Sequence, residues 1–265
     1  MENHFISKQE AEMATAFLED GYLIHSVENL TDFKKIQNFI AKTASDLLGL
    51  SYTSATEFLN NFHLYIDKNK LNEFRVKLIH ILNQEKWFRP LYYKMAETAL
   101  QSIVGNELAM QLRVNLSIQL PKDKSSLLPM HADVWSGDSP YEVVVWVPLV
   151  DCYETKSMYI LPPKGSERLQ QNFFESSSEK LYERVKGEVK WINIKAGKVL
   201  LFNQNLPHGN VVNLESETRW SLNCRFKSIF SPYGDKKVGE FFEPITLKPA
   251  SRVGMEYKFP IITGS

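Results

Sequence analysis

The chain has 265 residues, with 31 basic against 31 acidic side chains, and is long enough to bury a sizeable core as one large domain without staples. Balanced charge gives no sign of a nucleic-acid or anionic-membrane partner, and no run of roughly eighteen apolar residues offers a membrane span. Two cysteines, Cys152 and Cys224, make no disulfide framework, and the opening "MENHFISKQEAEMATAFLED" shows no basic head before an apolar stretch, so a cytoplasmic protein without a signal peptide is expected.

Residues 1–105 read as mostly helical, because apolar residues recur at three- and four-residue spacing. Phe33, Ile36 and Ile40 share one helix face. The stretch "SATEFLNNFHLYI" predicts a further short helix. Leu71, Phe74, Leu78 and Ile81 form the next face, and one helix is predicted from Pro90 to Gly105, residues suited to a first turn and a stop.

After Gly105 the period falls to two. In "LRVNLSIQL", Leu112, Val114, Leu116, Ile118 and Leu120 alternate with Arg113, Asn115, Ser117 and Gln119. Strands are also predicted at "YEVVVWVPL", "SMYIL", "EVKWINI", "KVLLF", "NVV" and "TRWSLNCRF", separated by turn residues such as "PPKGS" and "KAGK". Short strands with hardly a helix between them argue against a parallel βαβ sheet. The expected fold is mainly β with flanking helices. A double-stranded β-helix (jelly roll, cupin-like) core at 106–230 follows the helical part, precedes an extension at 231–265, and belongs with both to a single domain, 1–265. The polar segment "NFFESSSEKLYERV", Asn172 to Val185, reads as a helical insertion, either plain surface or a lid. The tail "EFFEPITLKPASRVGMEYKFP" has enough apolar residues to pack back on the sheet.

Chemistry concentrates in three places. In "LLPMHADVWSGDSP", read as extended, His131 and Asp133 sit at i and i+2 and point to one face. In "LLFNQNLPHGNVV" an apolar strand ends in a polar loop that delivers His208. Two histidines and one carboxylate on a β-barrel are the donor set of a facial-triad Fe(II) site, which leaves three positions open where a structural zinc site would close its shell. In "TRWSLNCRF", Arg219 offers a planar fork that matches a carboxylate, and Ser221, Asn223 and Arg225 share its face.

Each residue also has an ordinary use: His131 as a bonded strand-end histidine, Asp133 as a turn cap, Arg219 as a surface partner of Glu215 or Glu217. Together with His208, all four in this order at strand ends favour the metal site. Arg225 divides evenly between binding a substrate anion and a structural ion pair. Trp135, in the loop beside the ligands, is a candidate wall of the substrate pocket, whereas Trp146 lies in a nearly continuous apolar strand and reads as core.

H-x-D, a distal His, then Arg with Ser two residues later resembles the Fe(II)/2-oxoglutarate-dependent oxygenases, and within them the phytanoyl-CoA-dioxygenase-like group. "FLEDGYLIHSV", "SMYILPPKGS" and "IKAGKVLLFNQNLPHGN" are similar to segments of that group. With "VNLSIQLP" and "HADVWSGDSPYEVVVWVPLVD", the chain is also similar to a subgroup found in sporadic bacterial carbohydrate-biosynthesis clusters. The resemblance implies that His131, Asp133 and His208 hold iron and that Arg219, helped by Ser221, holds the distal carboxylate of 2-oxoglutarate. It further implies that Asn115, Ser117 or Gln119 completes the cosubstrate pocket, and that O2 is used to hydroxylate or otherwise oxidise a small molecule, a sugar or nucleotide sugar of polysaccharide biosynthesis. The group often carries "PGSH" where this chain has "PPKGSE", so Lys164 and Glu167 are expected to alter what docks at that rim. A cupin-type metal-dependent isomerase or epimerase would want more histidines than the β half offers. A non-catalytic carbohydrate-binding jelly roll would leave an inward Arg219 without purpose. A homodimer is the default oligomer.

Overall fold

Ser7 caps the first helix, its side chain accepting from the Glu10 N–H, and Gly21 at φ 76° ends it, so α1 runs Lys8–Asp20. The computed structural model describes residues 5–171 and 177–260. Next come β1 (Tyr22–Ser26), α2 (Leu30–Leu48), α3 (Ala55–Asn60), a 3₁₀ turn at Phe62–Leu64, α4 (Leu71–Gln84), α5 (Phe88–Lys94) and α6 (Glu97–Ile103). The buried stripe of α4 is Leu71, Phe74, Leu78 and Leu82. Leu82 takes the place expected of Ile81, because eleven residues at about 100° each return to the starting face and ten do not. The single helix expected from Pro90 to Gly105 is instead two, broken at Ala96 (φ −127°, ψ 15°). The break seats both Met95 and Ala96 in the core, a tertiary demand that overrides local propensity.

The β half contains β2 (Leu108–Gln111), β3 (Asn115–Gln119), β4 (Val143–Pro148), β5 (Tyr159–Ile160), α7 (Pro163–Gln171), α8 (Ser178–Val185), β6 (Lys190–Trp191), β7 (Lys198–Asn203), β8 (His208–Gly209), β9 (Arg219–Ser228), β10 (Phe242–Pro244) and α9 (Pro249–Glu256). "PPKGS" is therefore the entry to α7 and not a turn, and the short strand near "NVV" is His208–Gly209 itself. Of the insertion expected at 172–185, α8 covers Ser178–Val185, and 172–176 lie outside the described residues. α7 and α8 pack through Leu169, Leu181 and Val185 against Met130, Tyr159 and Leu161.

Two antiparallel sheets make a jelly roll, with α2 to α6 against the larger and α7 and α8 beside the smaller. The larger runs β1-β7-β4-β9-β2-β10, with β3 also on β9; the smaller runs β6-β5-β8. The N-terminal part is thus not wholly helical, since β1 pairs with β7 from Tyr22↔Phe202 to Ser26↔Lys198. "LRVNLSIQL" is not one strand either. Met110 faces Phe226 and Asn115 faces Asn223, so residues 111–114 bulge against 224 and 225. The bulge turns Leu112 out, 40% exposed, while Val114, Leu116, Ile118 and Leu120 stay in the core. The tail returns as expected: β10 pairs with β2 and Phe242 is fully buried.

One face of the larger sheet carries Val145, Val147, Leu201, Trp220, Leu222 and Phe226 into a core shared with α2 to α6. Trp220 Nε1 donates to the Leu59 carbonyl at 2.9 Å and Tyr92 Oη to that of Val145 at 2.7 Å, fixing the helices to the sheet. The other face, with Val144, Trp146, Leu200 and Phe202, meets Met158, Ile160 and Ile192 across the sandwich. Because β9 alternates, its apolar residues face the helices and Arg219, Ser221, Asn223 and Arg225 face the inside of the roll. A polar strand face turned inward needs a cavity. Both cysteines are buried and free, and among the described residues no helix is long and apolar enough to cross a membrane.

Candidate metal centre

His131 and His208 are brought together by a two-way backbone bridge, each N–H donating to the other's carbonyl, at 3.0 and 2.8 Å. Asp133 is not on a strand as expected; it starts a 3₁₀ turn, Asp133–Ser136, after an extended Ala132 (φ −118°, ψ 134°). That one extended residue is enough to put the Asp133 carboxylate on the side of His131, Nε2 to Oδ1 3.4 Å. The Asp133 N–H donates to the Gln204 carbonyl at 3.1 Å, which ties the turn to the chain four residues before His208. Ligand atoms of His131, Asp133 and His208 lie within 4.8 Å of one another, and among the described residues no fourth His, Cys, Asp or Glu joins them.

The tautomers follow from the backbone. Nδ1 of His131 lies 2.8 Å from the Pro129 carbonyl and Nδ1 of His208 lies 2.9 Å from that of Leu206. A carbonyl only accepts, so each Nδ1 carries a proton, and each ring in its neutral form presents the Nε2 lone pair, the arrangement a metal ligand requires. Burial, with His131 nearby, drives the His208 pKa down to about 4, which keeps the ring neutral at pH 7. Burial also pulls His131 down, but the bonds to Asp133 and to the Pro129 carbonyl outweigh it and the net direction is up. Asp133 is raised by burial, yet His131, His208 and Arg225 hold it well below the usual carboxylate range. Both directions say the same thing: the gap between a buried carboxylate and an imidazole lone pair is a place for positive charge.

These groups open into a cavity of about 490 Å³ between the sheets. Arg219 is 2% exposed, donates to the Ser157 carbonyl at 3.0 Å and to Ser117 Oγ at 3.1 Å, and leaves its Nε without a partner. Among the described residues no carboxylate pairs with it, Glu215 and Glu217 included. Burial lowers its pKa to about 10, still protonated at neutrality. A guanidinium this deep without an anion is costly unless a ligand supplies one.

Asn115, Ser117, Asn223 and Arg225 line the same cavity. Gln119 does not; it is fully buried and donates to the Val211 carbonyl at 2.6 Å. Ser221, wholly buried beside Arg219 on the strand, has an unpartnered Oγ and is not in the wall. Arg225 resolves toward an ion pair, with Nη2 3.0 Å from Asp133 Oδ2 and 3.3 Å from Asp138 Oδ2, while remaining in the cavity wall. The tryptophans exchange roles: Trp146 lines the cavity, and Trp135, 38% exposed on the turn, does not. A buried strand has two faces, and the period of β4 shows that one is interior without showing which interior it meets. Lys164 and Glu167 are exposed on α7 and do not line the cavity. Arg75 of α4 and Asp138 had no motif to mark them; their places depend on contacts far apart in sequence.

No family model matches the chain, and no curated protein matches it either. Solved structures do. The apo form of EctD from S. alaskensis is 17% identical, with 91% of this chain and 85% of that one covered and a TM-score of 0.57. SnoN, described as a non-heme alpha ketoglutarate dependent epimerase from nogalamycin biosynthesis, is 15% identical over 87% of each chain, TM-score 0.52. HygX from Streptomyces hygroscopicus, solved with nickel and 2-oxoglutarate bound, is 12% identical over 86% of this chain and 89% of that one, TM-score 0.50. At these identities the likeness establishes the shared jelly-roll fold.

Proposed function

We propose that this chain is a non-heme Fe(II)/2-oxoglutarate-dependent oxygenase that hydroxylates or otherwise oxidises a small molecule. The observation that carries the reading is Arg219, a buried guanidinium with no carboxylate partner among the described residues, in the wall of the cavity that also receives His131, Asp133 and His208. A metal held by three protein ligands needs further ligands, and a dicarboxylate reaching from it to Arg219 meets both needs at once. The fold it shares with HygX, solved with nickel and 2-oxoglutarate, is consistent with this.

His131, Asp133 and His208 would hold Fe(II), which supplies with 2-oxoglutarate and O2 the oxidising power that no side chain has. The chain's own part is positioning. The carbonyls of Pro129 and Leu206 orient the two rings, and Arg225 holds the outer oxygen of Asp133 so that Oδ1 faces the site. Arg219 and Ser117 orient the cosubstrate. Val144, Trp146, Met158 and Phe202 give the cavity an apolar wall that excludes water from the reacting bond. A sugar or nucleotide-sugar substrate of bacterial polysaccharide biosynthesis, and membership of the phytanoyl-CoA-dioxygenase-like group, are supported by the resemblance of "VNLSIQLP", "HADVWSGDSPYEVVVWVPLVD" and "IKAGKVLLFNQNLPHGN".

The test is the visible difference spectrum of the anaerobic protein mixed with Fe(II) and 2-oxoglutarate. A weak charge-transfer band in the parent, lost in His208→Ala, is the expected result. A folded, iron-loaded parent with no band and no calorimetric binding of 2-oxoglutarate overturns the reading.

A further inference from the structure

Among the described residues, the charged side chains lining the cavity are three arginines, Arg75, Arg219 and Arg225, against one carboxylate, Asp133. Two of the three are committed. Arg225 is paired with Asp133 and Asp138, and in the reading above Arg219 faces the cosubstrate. Arg75 is left over.

Its position follows from the helix. Leu71, Asn72, Arg75 and Ile79 lie on one face of α4, the face turned to the cavity. At three and four residues from Arg75 stand Leu71, Asn72, Leu78 and Ile79, so the helix supplies no acid to neutralise it. Among the described residues it donates one hydrogen bond, to the neutral Asn72 Oδ1 at 2.7 Å. Among the described residues no carboxylate pairs with Arg75. Ser126 adds a hydroxyl to the wall of the same cavity. An uncommitted guanidinium and a hydroxyl in the wall of a reaction cavity are donors to an oxyanion, since a guanidinium accepts nothing.

We propose that Arg75 is the anion-binding residue of a substrate subsite, and that the substrate carries an oxyanion, a phosphate or a carboxylate, held at Arg75 while its reacting carbon faces the metal centre. The proposal rests on the oxygenase reading for the word substrate, but the anion subsite itself needs neither metal nor cosubstrate. It restricts the sugar-derived substrates of that reading to charged ones. The helical N-terminal part thereby becomes a specificity element of a site otherwise built from strands.

The test is calorimetric titration of the metal-free protein with inorganic pyrophosphate and with malonate, for the parent and for Arg219→Met alone and combined with Arg75→Gln or Arg75→Lys, each checked for an unchanged melting temperature. At least one anion should bind the parent, more weakly as salt rises. With Arg219→Met as the background, which removes the cosubstrate arginine as a second anion site, Arg75→Gln should weaken binding about tenfold or more and Arg75→Lys should keep part of the affinity. Pyrophosphate dependence on Arg75 would mark a phosphate-bearing substrate, and malonate dependence a carboxylate-bearing one. In that background, no binding of either anion, or binding that survives Arg75→Gln, overturns the proposal. An intact charge-transfer band without Arg75-dependent anion binding removes the subsite alone. A missing band with that binding present removes the oxygenase reading and leaves the subsite.

Discussion

Arg225 donates to Asp133 Oδ2 at 3.0 Å while Oδ1 of the same carboxylate faces His131 at 3.4 Å. The arginine therefore aims the carboxylate, and it is itself braced by Asp138, whose other oxygen pairs with Lys236. A ligating carboxylate held by an outer partner depends on that partner for its orientation.

Arg225→Gln should therefore weaken divalent-metal binding by about 10- to 100-fold. Titration with Co(II), read by its visible absorption, checks this. An affinity equal to that of the parent would show that Arg225 does not orient Asp133.

Arg219 separates stability from binding. Because it is a buried charge without an anion, replacing it by an apolar side chain of similar reach removes a desolvation penalty along with two hydrogen bonds. Arg219→Met should unfold in urea within about 1 kcal/mol of the parent. The rise in melting temperature that 2-oxoglutarate gives the metal-loaded parent by mass action should be lost. A large destabilisation with the ligand response retained would make Arg219 structural.

Glu142 makes stability depend on pH. Burial raises its pKa, against the lowering effect of the Ser139 N–H and Gln204 Nε2 bonds. The folded state thus holds a proton that the unfolded chain has released, so this contribution is complete below the ordinary glutamate pKa and is lost as pH rises through the folded value. Urea midpoints measured upward from the ordinary glutamate pKa to neutrality should fall more steeply with rising pH for the parent than for Glu142→Gln. Parallel curves would show that Glu142 does not titrate in that window.

Gly209 is where the smaller sheet has no room. A Cβ there would meet Tyr159 Oη at 2.7 Å and the Leu128 carbonyl at 2.8 Å, in the strand pair Tyr159↔Gly209 next to His208. Gly209→Ala should cost about 1–3 kcal/mol by overpacking and should weaken Co(II) binding as His208 is displaced. Gly187→Ala, whose Cβ meets nothing within 4 Å, is the control and should stay within about 0.5 kcal/mol. Equal stability of the two variants would refute the packing argument.

What was legible in the sequence was local. The period of two from Arg219 to Phe226 places Arg219, Ser221, Asn223 and Arg225 on one face. The i, i+2 spacing puts His131 and Asp133 on one side even though Asp133 opens a 3₁₀ turn, because a single extended residue between them suffices. The apolar stripe of α2 and the succession of short strands led to the two-layer β architecture in the same way. The bulge at 111–114, the break at Ala96 and the edge strand β1 were not legible, since each answers to a partner element elsewhere in the chain. The same holds for the functional cavity. Whether Trp135 or Trp146 walls it, whether Arg225 meets Asp133, and that α4 brings Arg75 to it are decided by contacts between residues far apart in sequence. Local spacing fixes a side chain's direction relative to its own backbone; its partner is chosen only when sheets and helices pack, and that choice belongs to the tertiary structure.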